Sequence, residues 1–101
     1  MKKCCIDFLM EQFGDQDVVN EIYDEYAKSI NVKIAEADSA LDSNEWTELD
    51  HVAHAIKGNA LATGDNDVAN TAIALRKAAQ LSNKEEALSL VAQIKELAKD
   101  I

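Results

Sequence analysis

Proline is absent from this chain, glycine occurs three times and aromatic residues make up only 5% of 101 residues. So few turn formers favour helix over strand. The two cysteines, Cys4 and Cys5, are neighbours. Adjacent residues cannot staple distant segments, and they lack the CxxC spacing of a metal or redox site, so a disulfide framework is excluded and a reducing compartment fits. Cations are scarce: ten Lys and Arg stand against nineteen Asp and Glu, a formal net charge of -9. That balance argues against nucleic acid or an anionic membrane as partner, since both need clustered basic side chains. No apolar run approaches the roughly 18 residues needed to span a bilayer. The start, MKKCCIDFLM, is broken by Asp7 before it reaches the length of a signal core, which fits mature, soluble, cytoplasmic sequence. No GxxxxGK loop or other glycine-rich phosphate cradle is present.

What is abundant is Ala, Leu, Glu and Lys, the strong helix formers. One domain over residues 1–101 follows from length. A short helix is expected from Ile6 to Gln12, ended by Gly14. A long one should begin at Asp15 or Asp17 and carry Val19, Ile22, Tyr23, Tyr26, Ile30, Ile34, Ala37 and Leu41 on one face to about Asp42. Ser43 or Asn44 can cap a third helix reaching Thr63, with Gly64 at its C-terminal end. Asp65 or Asn66 can cap a fourth, bearing Val68, Ala69, Ala72, Leu75 and Ala79. Ser82 to Glu85 has capping-box form before a fifth, bearing Ala87, Leu90, Val91, Ile94, Leu97 and Ala98. Short connections imply an all-α, up-down antiparallel four-helix bundle with a short extra N-terminal helix. Phe8, Phe13, Tyr23, Tyr26 and Trp46 read as packing residues, and no buried polar cluster is expected inside the bundle to bind a ligand.

Within the third helix, residues 51–64 read HVAHAIKGNALATG. At about 100° per residue, Leu49, Val52, Ala53, Ile56, Ala60 and Thr63 form one apolar arc. His54 points the opposite way, and Thr47, Asp50, His51, Lys57, Gly58 and Leu61 lie within about 60° of it. Gly58 weakens the helix by about 1 kcal/mol relative to Ala, which fits a need for clear space beside the imidazole. A neutral imidazole is a nucleophile, and one standing in solvent can accept a phosphoryl group. Lys57, one turn on, can offset the charge that this group brings. With no nucleotide cradle, the phosphoryl group has to come from a partner and return to one.

The stretch HAIKGNALATG resembles the signature of histidine-containing phosphotransfer domains, the HPt family, through His54, Ile56, Lys57, Gly58, Asn59, Ala60 and Gly64; Asn44, Glu45 and Trp46 resemble the usual start of that helix. The resemblance implies that His54 is phosphorylated, that Lys57 helps hold the phosphoryl group and that Gly58 leaves room for a receiver aspartate. It implies a phosphocarrier rather than an enzyme in a multistep two-component phosphorelay. The partners would be receiver domains of a hybrid histidine kinase and a response regulator, with Mg²⁺ and most of the catalysis supplied by the receiver and no cofactor on this chain. Thr47, Asp50, His51 and Leu61 would form the docking face of a monomer. Three positions depart from the family pattern. Asn59 replaces a small residue, and Thr63 replaces an apolar one, which predicts looser packing at the helix end. Arg76 stands where relatives carry Glu or Gln that accepts from the histidine; arginine has no acceptor. Either another group such as Gln80 orients the ring, or Arg76 contacts the phosphate.

Two rival readings come from other classes. One is a protein-binding helical bundle without phosphotransfer, although a motif with His, Lys and Gly all standing speaks against decay. The other is a surface metal site from Asp50, His51 and His54, which offers only three ligands on an open face. His51 is the alternative phosphorylation position, but no Lys-Gly pair follows it at the needed spacing.

Overall fold

The computed structural model describes residues 1–101. Five helices account for nearly the whole chain: α1 Lys3–Phe13, α2 Gln16–Asp42, α3 Trp46–Thr63, α4 Asn66–Gln80 and α5 Lys84–Ala98. There is no strand. No helix is long and apolar enough to cross a membrane. Around one cluster of 24 buried residues, to which all five helices contribute, α2 packs on α3, α3 on α4, α4 on α5, and α5 returns to α2, while α1 lies across α2 and α3. At about 1.5 Å per residue the long α2 accounts for the 42 Å length of the molecule, whose other extents are 20 and 19 Å.

The helix ends show where local chemistry acted as the sequence suggests and where tertiary contacts took over. Asp15 caps α2: its carboxylate accepts from the backbone N–H groups of Asp17 at 2.9 Å and Val18 at 3.4 Å. Gly14 ends α1 in the left-handed conformation. α1 itself starts earlier than expected, at Lys3, because the Lys2 carbonyl already accepts from the N–H of Ile6. Neither Ser43 nor Asn44 caps α3; Glu45 occupies the cap position without a side-chain bond. Asn44 instead turns left-handed, and its amide oxygen accepts from Lys84 Nζ at 3.0 Å, joining the starts of α3 and α5. The expected capping box at Ser82 is displaced by one residue. Ser82 is the left-handed link, at φ 52°, and Asn83 caps α5 by accepting from Glu86 N–H.

Asp65 holds the cap position of α4, yet its carboxylate serves the core instead. It is 1% exposed and accepts from Tyr26 Oη at 2.8 Å and from Lys2 Nζ at 2.9 Å. The backbone N–H of Lys2 donates to Tyr23 Oη at 3.0 Å, and the two tyrosine rings meet edge to face with centroids 6.3 Å apart. A buried polar cluster therefore exists where the sequence promised none. Every buried side-chain N and O atom has a partner, so the cluster fastens the chain's start to the α3–α4 corner and leaves no donor or acceptor open for a ligand. Burial, reinforced by the bond to Asp65, pushes the Tyr26 hydroxyl well above the usual phenol range. Burial, with the Asp65 carboxylate nearby, likewise pushes the Cys5 thiol up to about 12; Cys5 is a buried free thiol and Cys4 an exposed one.

The aromatics divide accordingly. Tyr23 and Tyr26 are buried, Phe8 and Trp46 pack partly against the core, and Phe13 is 54% exposed. Gly64 allows Phe8 its place. At φ 79° the residue is left-handed, and a Cβ there would lie 2.4 Å from the Cβ of Phe8. Gly14 is also left-handed, but a Cβ there would meet nothing closer than 4.0 Å. Gly64→Ala should therefore cost about 2–4 kcal/mol, from backbone strain plus displacement of α1, and Gly14→Ala only about 1 kcal/mol. Urea unfolding of the two variants beside the parent tests this; equal losses would show that Phe8 does not depend on the vacant space.

Candidate functional site

α3 is divided along its length. Leu49, Val52, Ala53, Ile56, Ala60 and Thr63 are all buried, which is the arc that spacing alone predicts. On the opposite side Thr47, His51, His54, Gly58 and Leu61 are exposed, and Asp50 and Lys57 are half-buried. A Cβ added at Gly58 would meet nothing within 4 Å. The fold itself therefore does not require glycine there, and the space beside His54 is open to solvent.

The half-buried Arg76 reaches this face from α4. Its Nε donates to Asp50 Oδ1 at 3.0 Å, and its Nη1 lies 3.1 Å from Nδ1 of His54. Gln80 Nε2 donates to the same Asp50 oxygen at 3.4 Å and has no bond to His54. Of the two candidates for touching the ring, Arg76 is the one that does. Because guanidinium only donates, the contact is a hydrogen bond when Nδ1 offers its lone pair, and the neutral ring then carries its proton on Nε2. The Arg76 bond, more than its charge at a distance, holds the Asp50 carboxyl below the usual carboxylate range, with partial burial opposing and Gln80 assisting.

Lys57, Ile73, Arg76, Lys77 and Gln80 line a shallow open groove beside the histidine. Neither Lys57 nor Lys77 is held in an ion pair. Three of the chain's ten cations thus gather on a strongly acidic protein next to one imidazole. Thr47 lines a second groove with Trp46, Asp50, Ala79, Gln80 and Ser82. Ile73 and Lys77 are absent from the sequence-derived candidates. Ile73 is 49% exposed, matching Leu61 at 49%, and its signal was its position off the apolar arc of α4. No group of three His, Cys, Asp or Glu side chains is placed to hold a metal ion.

The other departures from the expected pattern have structural roles. Asn59 Nδ2 donates to Ser29 Oγ at 2.8 Å, tying α3 to α2. Thr63 is buried, with its hydroxyl donating to the Asn59 carbonyl at 2.8 Å. Its hydroxyl is thus satisfied in place, although an open groove lined by Ile22, Tyr26, Ser29 and Asn59 lies beside it.

The depressed Asp50 pKa fixes the sign of an acid effect. An unfolded Asp titrates near 3.9, so the Asp50–Arg76 pair contributes fully above about pH 5 and is lost as pH falls through the lower folded value. Asp50→Asn should reduce stability at pH 7 by no more than about 1 kcal/mol, as expected for a partly exposed pair, with the difference from the parent shrinking as pH falls through the depressed folded value. Thermal unfolding across that range measures it, and a gap that persists at the acid end would assign the loss to packing.

No curated protein and no solved structure gives a match to this chain. The Hpt domain family model matches residues 21–101, the segment holding most of α2 and all of α3, α4 and α5. With that match over most of its length and a histidine standing outward from an all-helical bundle, the chain belongs to the Hpt domain family, whose members are phosphocarriers that transfer phosphoryl groups on histidine in phosphorelays and interact with receiver domains.

Proposed function

We propose that this protein accepts a phosphoryl group on His54 from a receiver-domain aspartate and delivers it to another, as an intermediate in a multistep two-component phosphorelay. One observation carries the reading: His54 stands exposed on α3 beside a glycine that the fold does not need. The cost of about 1 kcal/mol for glycine in a helix goes unreturned within the chain, and an approaching partner accounts for it. Transfer forms a P–N bond to the ring as the P–O bond to the aspartate breaks, and the carboxylate leaves with its electron pair. Lys57 offsets the charge of the phosphoryl group, and Gly58 admits the receiver's acidic pocket. Thr47, Asp50, His51 and Leu61, joined by Ile73, form the docking face.

The rest of the proposal follows from this. The receivers belong to a hybrid histidine kinase and a response regulator, and they supply Mg²⁺ and most of the transition-state stabilisation. The chain needs no cofactor of its own and works as a cytoplasmic monomer, one domain over residues 1–101. The ladder of pairs Tyr26–Asp65, Ser29–Asn59 and Asp50–Arg76, in which later residues of one helix meet earlier residues of its neighbour, supports an up-down antiparallel order for α2, α3 and α4, and the Asn44–Lys84 bond at the starts of α3 and α5 extends it to the fourth helix. The net charge of -9 favours receivers with basic or mixed surroundings.

Incubation with phosphorylated receivers should give acid-labile, base-stable phosphate on the parent and on His51→Gln, and none on His54→Gln. The reverse pattern would move the site to His51, and phosphate on neither would favour a binding bundle without transfer. Gly58→Ala separates stability from function. It should raise stability by about 0.5–1 kcal/mol, since the new methyl meets no neighbour, while slowing transfer by on the order of tenfold by obstructing the approaching receiver. A stabilised variant with undiminished transfer would remove the clearance argument.

A further inference from the structure

The bond from Arg76 to His54 has the opposite polarity to the one that the ring needs when it leaves phosphorus. Hydrolysis of a phosphohistidine on Nε2 forms a bond from water oxygen to phosphorus and breaks the P–Nε2 bond, whose electron pair returns to the ring. If Nδ1 carries a proton, the ring leaves as neutral imidazole and the products balance as imidazole plus dihydrogen phosphate. If Nδ1 is bare, the ring has to leave as imidazolate, a far poorer leaving group. An acceptor beside Nδ1 favours the protonated ring, and a donor favours the bare one. Arg76 Nη1 lies 3.1 Å from Nδ1 and has no lone pair to offer, so it is a donor that competes with the proton for the same site. It is not free to withdraw at no cost, because its Nε is bonded to Asp50 Oδ1 at 3.0 Å and Gln80 reinforces that carboxylate.

We propose that Arg76, moored by Asp50, is a positioning residue that keeps Nδ1 of His54 unprotonated and so lengthens the life of the phosphoryl group stored on Nε2. The inference rests on His54 being the phosphorylated residue. Before phosphorylation the same bond places the ring proton on Nε2, and once Arg76 is drawn aside that proton passes to Nδ1 through solvent, which frees the Nε2 lone pair to attack phosphorus. The carrier then holds its phosphate until a receiver supplies what the ring lacks: contact with the docked partner draws Arg76 from Nδ1, and the P–N bond becomes labile only in the complex.

Two measurements on the full chain test this with Arg76→Gln, whose amide oxygen can accept from Nδ1. Ring ¹⁵N NMR of the unphosphorylated proteins should show Nδ1 bare in the parent and increasingly protonated in the variant, a readout that a merely structural role would leave unchanged. The phosphorylated proteins, freed of receiver, should lose phosphate about fivefold faster in the variant, the scale of one net hydrogen bond. An unchanged Nδ1 protonation state, or a phosphohistidine that lasts as long or longer in the variant, overturns the inference. Phosphate found on a residue other than His54 sinks both this inference and the carrier reading, whereas phosphate on His54 with equal lifetimes sinks this one alone.

Discussion

The pitch of one helix sets the terms for the rest of the structure. α3 lies between α2 and α4, and the repeat of about 3.6 residues that carries Leu49, Val52, Ala53, Ile56 and Ala60 into the core carries His54, Gly58 and Leu61 out of it. Neither face can be changed alone. A helix rotated by one residue would bury an imidazole and expose a leucine, and the packing of nine buried alanines along the bundle, which lets the helices approach closely, holds the rotation fixed. The chemistry of the site thus depends on a core that contains none of its reactive groups.

A second fastening lies at the α3–α4 corner. Asp65 could have capped α4, but its carboxylate, almost wholly buried, takes Tyr26 and Lys2 instead. A buried carboxylate left unpaired would be far more costly than a missing cap, so the ion pair and hydroxyl are where the group is stabilised best. The consequence is that α1, of which the family match covers no part, is tied to the corner at the end of the helix that bears His54, with Phe8 seated over Gly64.

Charge is distributed with the same economy. The acidic excess is spread over the surface, while Lys57, Arg76 and Lys77 collect beside the imidazole. Arg76 has the most specific place among them because it is bonded on both sides, to a carboxylate and to a ring nitrogen. Lysine in that position would bring the charge without the planar fork that spans the two.

Much of this was legible in the sequence. The buried arc of α3, the outward histidine, an N-cap at Asp15 or Asp17, of which the structure uses Asp15, and the helix-ending glycines at 14 and 64 follow from periodicity and backbone sterics, which act within a few residues. The cap of α5 fell one residue from its expected place, because Ser82 and Asn83 compete locally and the left-handed link decides between them. Which group touches the ring, Arg76 or Gln80, could not be read from spacing, since both face α3 from successive turns of α4 and only the lateral offset of the two helices selects one. The use of Asp65 depended likewise on Tyr26 and Lys2, 39 and 63 residues away in the chain. The sequence determined the elements and their faces, because those follow from local geometry; the tertiary structure decided the partners of the polar side chains, because a carboxylate or a guanidinium goes to whatever group packing brings within about 3 Å.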